Sequence, residues 1–92
     1  MMIYRFKTEK EFIKDYGFNW VSKCHWNPDG CMNHLFGTTL PIHISDENFK
    51  NPLFKIQIRD KYFGQYRWTI NMSMLTLKEP NYNPKIKIER VI

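Results

Sequence analysis

Apolar positions follow two different periods along the chain, and the first part has the helical one. Three apolar side chains have the spacing of one helical face: Phe12, Ile13 and Tyr16. Thr8 and Glu11 have the spacing of a capping box, in which each side chain accepts a hydrogen bond from the other residue's backbone amide. Gly17 follows as a C-terminal stop. These signals predict a helix over residues 9–16.

A second, shorter helical pattern covers residues 30–36. Asp29 is a suitable N-cap, Gly37 is a suitable stop, and three apolar side chains share one face: Met32, Leu35 and Phe36. The intervening residues 18–28 have no helical period. We expect Trp20 and Trp26 to anchor that segment to the core.

From residue 38 onward the apolar positions alternate with polar ones, which is the period of a strand with one buried face. Five strands are predicted, at residues 38–44, 54–59, 66–70, 75–77 and 85–92. Pro41 indicates that the first of these lies near a sheet edge. In the third strand Tyr66, Trp68 and Ile70 are expected to point inward. A short strand at residues 3–6 and a helical turn at 71–74, with Met72 and Met74 as core side chains, complete the prediction.

The predicted fold is α+β and mainly β, with short N-terminal helices packed on a small five-stranded antiparallel barrel, because closing a sheet removes its exposed edges. The 92 residues suit a single domain, residues 1–92, with a helical cap over 1–37 and the barrel over 38–92. The chain has ten Ile and no Ala, and 16% of its residues are aromatic. Such side chains fit a pleated surface better than a helix.

Hydropathy and cysteine content point to a location in the cytoplasm. No apolar run approaches the ~20 residues that a membrane-spanning helix needs, and the N-terminus lacks the apolar stretch of a signal peptide. The two cysteines are too few for a typical disulfide-stapled secreted domain, so we interpret them as reduced thiols. We therefore expect no membrane partner.

The basic charge lies in the second half of the chain. Residues 48–92 contain nine Lys/Arg against three Asp/Glu, whereas residues 1–47 contain five against six. Five basic side chains fall on outward strand positions and would form one positive face: Lys55, Arg59, Arg67, Lys85 and Lys87. Tyr62 and Phe63 lie in a predicted loop beside it. This face suits an acidic protein surface or nucleic-acid phosphates, although a solvated outer sheet face has the same pattern.

The clearest metal candidates are Cys24, Cys31 and His34, because thiolates and imidazoles are zinc ligands. The paired Cys-x-x-Cys spacing is absent, and both cysteines are equally explained as small buried side chains. The chain also lacks a phosphate-binding glycine loop, a nucleophile elbow and a His-Glu-x-x-His motif. We expect a protein without cofactor, metal or catalytic activity.

Four strings carry a resemblance to a known class. They are the opening at residues 6–17, Trp26-Asn27, the Met-Asn-His-Leu-Phe-Gly-Thr-Thr-Leu run at 32–40, and Trp-Thr-Ile-Asn-Met at 68–72. Together they resemble small phage-encoded proteins of unassigned function that carry a Src-homology-type β-barrel. The resemblance covers about residues 6–75, and its motifs consist of core and turn residues.

The resemblance implies a non-catalytic phage-type accessory protein in the cytoplasm of a bacterial host. Such a protein would bind and inhibit or modulate a host macromolecule, for example a defence factor in the manner of an anti-CRISPR protein. The alternative function is a nucleic-acid-binding small barrel that uses the basic sheet face. Neither function brings catalytic residues with it.

Overall fold

The strands pair as two three-stranded antiparallel sheets in the computed structural model, which describes residues 2–78 and 88–90. The first sheet has the order β2-β1-β5, with β1 at Met2–Phe6, β2 at Thr39–Ile44 and β5 at Leu75–Leu77. The second has the order β4-β3-β6, with β3 at Lys55–Asp60, β4 at Tyr66–Asn71 and β6 at Ile88–Arg90. The antiparallel α+β class predicted from the sequence is confirmed. The expectation of a mainly β protein is wrong, because the described residues contain about as much helix as strand.

The predicted closed barrel is not formed by the described residues. β6 lies beside β2, with Cα atoms within 8 Å, but no ladder joins these two strands and the hydrogen bonding stays divided between two sheets. Pro41 lies inside β2 and offers no N–H for a further ladder. The short strand expected at residues 3–6 is the central strand of the first sheet, because it pairs with both β2 and β5.

Helix α1, Glu9–Tyr16, has the predicted bounds. The Thr8 hydroxyl accepts a hydrogen bond from the Glu11 amide (3.3 Å), and the Glu11 carboxylate accepts one from the Thr8 amide (2.9 Å). The expected capping box is therefore confirmed. Gly17 ends the helix with φ +79°, a conformation that residues with a Cβ rarely adopt.

The shorter helical pieces differ from the prediction. Residues 30–36 form only a 3-10 turn at Asn33–Leu35, because Gly30 has φ +82°, which a helix cannot contain. The Asp29 carboxylate still accepts a hydrogen bond from the Cys31 amide (2.8 Å), but it closes a turn and not a helix. Two short helices were not predicted: α2 at Trp20–Lys23 and α3 at Asp46–Lys50. The sequence does contain a signal for α3, because Ser45 is a suitable N-cap. Its hydroxyl accepts a hydrogen bond from the Asn48 amide (3.3 Å).

An aromatic cluster joins the helices to the sheets. Phe12 stacks on Trp20 with ring centroids 4.4 Å apart, and Trp26 stacks on Phe36 at 5.0 Å. Trp20 and Trp26 are buried, so the expectation that both anchor their segment is confirmed. The 3-10 turn Met72–Met74 also matches the prediction, and both methionines are buried. Within residues 2–78 and 88–90, no helix has the length and apolarity to cross a bilayer.

Candidate binding surface

Three exposed aromatic side chains lie together where β3 turns back into β4, and we call them the aromatic tip: Tyr62, Phe63 and Tyr66. Their exposed fractions are 62%, 44% and 55%. Tyr66 was expected to point inward. It does follow the same alternation as Trp68 and Ile70, which are buried, but it is the first residue of its strand and extends past the edge of the core.

The backbone of the tip is a 3-10 turn at Lys61–Phe63. The Asp60 carboxylate accepts a hydrogen bond from the Tyr62 amide (3.0 Å), which caps the turn. Gly64 follows in the left-handed region at φ +61°, as a tight reversal requires, and Gln65 follows at φ +71°. The prediction that Tyr62 and Phe63 lie in a connection between two strands is confirmed, and the structure shows that both rings are exposed.

A buried polar network lies directly beneath the aromatic tip. Asp60 is fully buried, although it occupies the last position of β3. Its carboxylate accepts a hydrogen bond from the Trp68 indole N–H (2.9 Å) and is hydrogen-bonded to the imidazole Nε2 of His34. A buried carboxylate needs such partners because removing it from water is costly. The network therefore links the two strands of the hairpin to each other and to His34, which lies in a distant part of the chain.

His34 also orders the exposed rings. Its imidazole stacks on the Tyr62 ring with centroids 4.7 Å apart and meets the Phe63 ring edge-on at 5.0 Å. The ring of Tyr66 lies 4.5 Å from that of Trp68. Each ring of the tip thus contacts a residue of the buried network. Rings held in this way lose little conformational entropy when they bind a partner.

A cleft of about 260 Å³ opens at the side of the tip. Its walls combine aromatic rings with polar groups from the loop that precedes the Asn33–Leu35 turn: Asn27, Asp29, Cys31, Phe63, Tyr66 and Trp68. The tip is consequently an uneven surface with a concave flank, which suits a specific contact better than a flat patch does.

Three of the five residues of the predicted basic face lie in the described part of the chain, on β3 and β4. Arg59 and Arg67 are direct cross-strand partners beside the tip. Lys55 lies at the other end of β3, opposite Asn71. On β6, Glu89 occupies the register position opposite Arg59, so an acidic residue is the cross-strand partner of a predicted basic site residue. The predicted site residues Lys85 and Lys87 lie outside the described residues.

A second surface, which the sequence did not indicate, is a groove of about 630 Å³ that we call the lysine groove. Four lysines and one histidine line it: Lys7, Lys23, Lys50, Lys55 and His25. No Asp or Glu is among the described residues that form its walls. These lysines come from separate elements, so no spacing along the chain could have predicted their convergence.

The metal candidates Cys24, Cys31 and His34 do not form a metal-binding cluster in the described part of the chain. Cys24 is fully buried and burial raises the pKa of its thiol. Cys31 is half-buried, and its hydrogen bond to Asp29 raises the pKa of its thiol. His34 is paired with Asp60. Within residues 2–78 and 88–90, no group of three or more His, Cys, Asp or Glu side chains could hold a metal ion.

Comparisons of the chain with protein families, with curated proteins and with solved structures find no match. The functional conclusion therefore depends on the surfaces described above.

Proposed function

We propose that this chain is a non-catalytic binding protein that docks on a partner protein through its aromatic tip and thereby inhibits or modulates that partner. One observation carries the proposal: three exposed rings cluster above a fully buried aspartate, and each ring contacts one of the two side chains that bind this aspartate. Clustered exposed aromatic side chains on a small domain are typical of interaction sites. Tyrosine and phenylalanine anchors supply most of the binding energy in many protein interfaces.

The charge next to the tip favours a partner with an acidic rim. Arg67 is exposed and follows Tyr66 on β4, so it adds positive charge at the same end of the hairpin, on the other face of the sheet. Arginine is enriched at the centres of protein interfaces because its planar group both stacks and forms paired hydrogen bonds with carboxylates. A positive rim also accelerates encounter with an acidic surface.

The class of partner is proposed from the resemblance to small phage-encoded proteins. It favours a host protein in the bacterial cytoplasm, including a defence complex of the kind that anti-CRISPR proteins block. The same resemblance supports a Src-homology-type arrangement as the finer fold. Two three-stranded antiparallel sheets with β2 beside β6 are compatible with that arrangement, although the described strands form no closed ladder.

Capture from a nuclease-treated host lysate tests the proposal. The triple variant Tyr62→Ser, Phe63→Ser and Tyr66→Ser removes the tip, and Phe18→Ser with Leu77→Ser is the matched control, since these two side chains are also exposed but lie on other segments. Binding of the purified captured protein is then measured by calorimetry. Because each hot-spot ring contributes about 2 kcal/mol or more, we expect the triple variant to bind at least about 100-fold more weakly.

The control should bind as the wild type does, and circular dichroism should show both variants folded. Equal affinity of the triple variant and the wild type for the captured protein would contradict the proposal. So would capture that disappears once nucleic acid is digested, because the contact would then be mediated by nucleic acid.

A further inference from the structure

The lysine groove carries an excess of positive charge that internal ion pairs do not neutralise. Lys7 is paired with Asp15 at 2.9 Å, and its ammonium also lies 4.7 Å from the centre of the Tyr16 ring. Lys23 donates a hydrogen bond to the Tyr16 carbonyl oxygen (3.1 Å), which leaves its charge in place. A concave wall of like charges raises the local potential more than the same charges spread over a convex surface.

Lys50 and Lys55 complete this excess. Both are exposed, Lys50 at the end of α3 and Lys55 at the start of β3. Among the described residues, no carboxylate lies within ion-pair distance of Lys23, Lys50 or Lys55. His25, which adopts φ +58°, contributes an imidazole to the same wall. Within the described part of the chain, the groove therefore carries three ammonium groups that have no carboxylate partner.

Apolar and aromatic groups line the groove between the lysines. Tyr16 and Phe49 are half-buried, and Leu53 is 83% exposed at the rim. Tyr16 and Phe49 also pack against the core, but their accessible parts and Leu53 place apolar surface beside the ammonium groups. A ligand with both anionic and flat apolar parts matches this combination. Nucleic-acid strands have this composition, because charged phosphates alternate with bases whose faces stack on rings.

The shape of the groove favours a strand over a duplex. Its wall at His25, Lys55 and Asn71 continues into a further cleft of about 190 Å³ above Thr69 and Ile70, along β4. β4 pairs only with β3 among the described strands, so this side of the strand is open. Two adjoining recesses of this kind suit a flexible single strand better than a rigid duplex.

We propose that the lysine groove is a binding site for single-stranded nucleic acid, with Lys23, Lys50 and Lys55 contacting successive phosphates. This site is separate from the aromatic tip and adds a second activity to the proposed protein binding. Three phosphate contacts imply that the logarithm of the binding constant falls with the logarithm of salt concentration at a slope of about −2. Affinity should thus decrease about 20-fold between roughly 50 and 200 mM salt.

Fluorescence anisotropy with a short labelled oligothymidylate tests this site. The groove variant is Lys23→Glu, Lys50→Glu and Lys55→Glu. The matched control is Lys10→Glu, Lys14→Glu and Lys78→Glu, which changes the net charge equally at exposed positions outside the groove. We expect the groove variant to bind at least about tenfold more weakly with a flattened salt slope, and the control to remain within about threefold of the wild type.

Three results would overturn the proposal: no binding by the wild type at roughly 50 mM salt, equal weakening by both triple variants, or tighter binding of duplex DNA than of the single strand. Polyglutamate that competes as well as the oligonucleotide would also overturn it, because the groove would then recognise charge alone. The aromatic-tip triple variant should bind the oligothymidylate as the wild type does. This result separates failure of the groove from failure of the proposed protein binding.

Discussion

The indole N–H of Trp68 donates a hydrogen bond of 2.9 Å to the carboxylate of Asp60, and this carboxylate is fully buried. The two residues lie on adjacent strands of one hairpin, close to the connection that carries the aromatic tip. Because the same side chain also accepts a hydrogen bond from the Tyr62 amide and contacts His34, it links the connection that carries the exposed rings to the buried interior.

We expect Asp60→Asn to destabilise the protein by about 1–3 kcal/mol, since a neutral amide cannot satisfy all of the donors that meet at this carboxylate. Urea unfolding followed by tryptophan fluorescence measures the effect. Glu9→Gln is the control, because Glu9 is an exposed acidic residue in the first turn of α1, and it should change stability by a few tenths of a kcal/mol. An unchanged midpoint for Asp60→Asn would show that the network does not support the hairpin end.

The ion pair between Arg5 and Glu11 should make stability depend on pH. The two guanidinium nitrogens of buried Arg5 donate hydrogen bonds to Glu11 at 2.7 and 2.9 Å. Chiefly for this reason the pKa of Glu11 is lowered to about 2, from a reference value of 4.5. A lowered pKa stabilises the folded state above the unfolded-state value, so this stabilisation is complete above about pH 5 and is lost as the pH falls toward 2.

Glu11→Gln should therefore be less stable than the wild type at pH 7 by about 1–2 kcal/mol, a figure reduced because the Glu11 side chain is 35% exposed. Thermal unfolding measured from pH 7 to pH 2 should show the two proteins converging at the acidic end. A difference that stays constant across that range would contradict the assignment of the effect to the Glu11 charge.

The elements that the sequence predicted well are those specified by neighbouring residues. The capping box is formed by Thr8 and Glu11, which are three positions apart at the start of α1. In β3, Ile56 and Ile58 face inward and alternate with polar residues, so this pattern is also local. Short helices escape such analysis. α2 spans only Trp20–Lys23, which is too short for a helical period to appear.

The functional surfaces were predicted less completely because distant segments build them. Tyr62 and Phe63 could be assigned to an exposed connection from their local context. Their support by His34 could not, since His34 and Asp60 are 26 positions apart and no local pattern links them. The lysine groove likewise needs the tertiary fold to bring Lys23 near Lys55.

Gly30 and Gly64 should respond differently to alanine although both have positive φ, at +82° and +61°. Each substitution introduces backbone strain of about 1–2 kcal/mol. A Cβ at Gly64 would have no heavy atom within 4 Å, whereas a Cβ at Gly30 would lie 3.3 Å from Nδ2 of Asn33, whose Oδ1 accepts from the Trp26 indole N–H (3.0 Å).

Gly64→Ala should accordingly lower the melting temperature by about 4–8 °C for each kcal/mol of strain, and Gly30→Ala should lower it further. Near-ultraviolet circular dichroism gives a second readout, because only Gly30→Ala is expected to disturb a tryptophan environment. Equal melting temperatures and identical near-ultraviolet spectra for the two variants would show that Asn33 does not transmit the change.

The two thiols should differ in reactivity. Cys24 is fully buried, so iodoacetamide should label it only after unfolding, whereas half-buried Cys31 should react slowly in the native protein. The hydrogen bond to Asp29 raises the pKa of Cys31 and limits its thiolate fraction. Asp29→Asn removes that charge and should speed labelling of Cys31 at pH 8, which peptide mass spectrometry can follow; Asp46→Asn is the control. Slower labelling in Asp29→Asn, or rapid native labelling of Cys24, would contradict these environments.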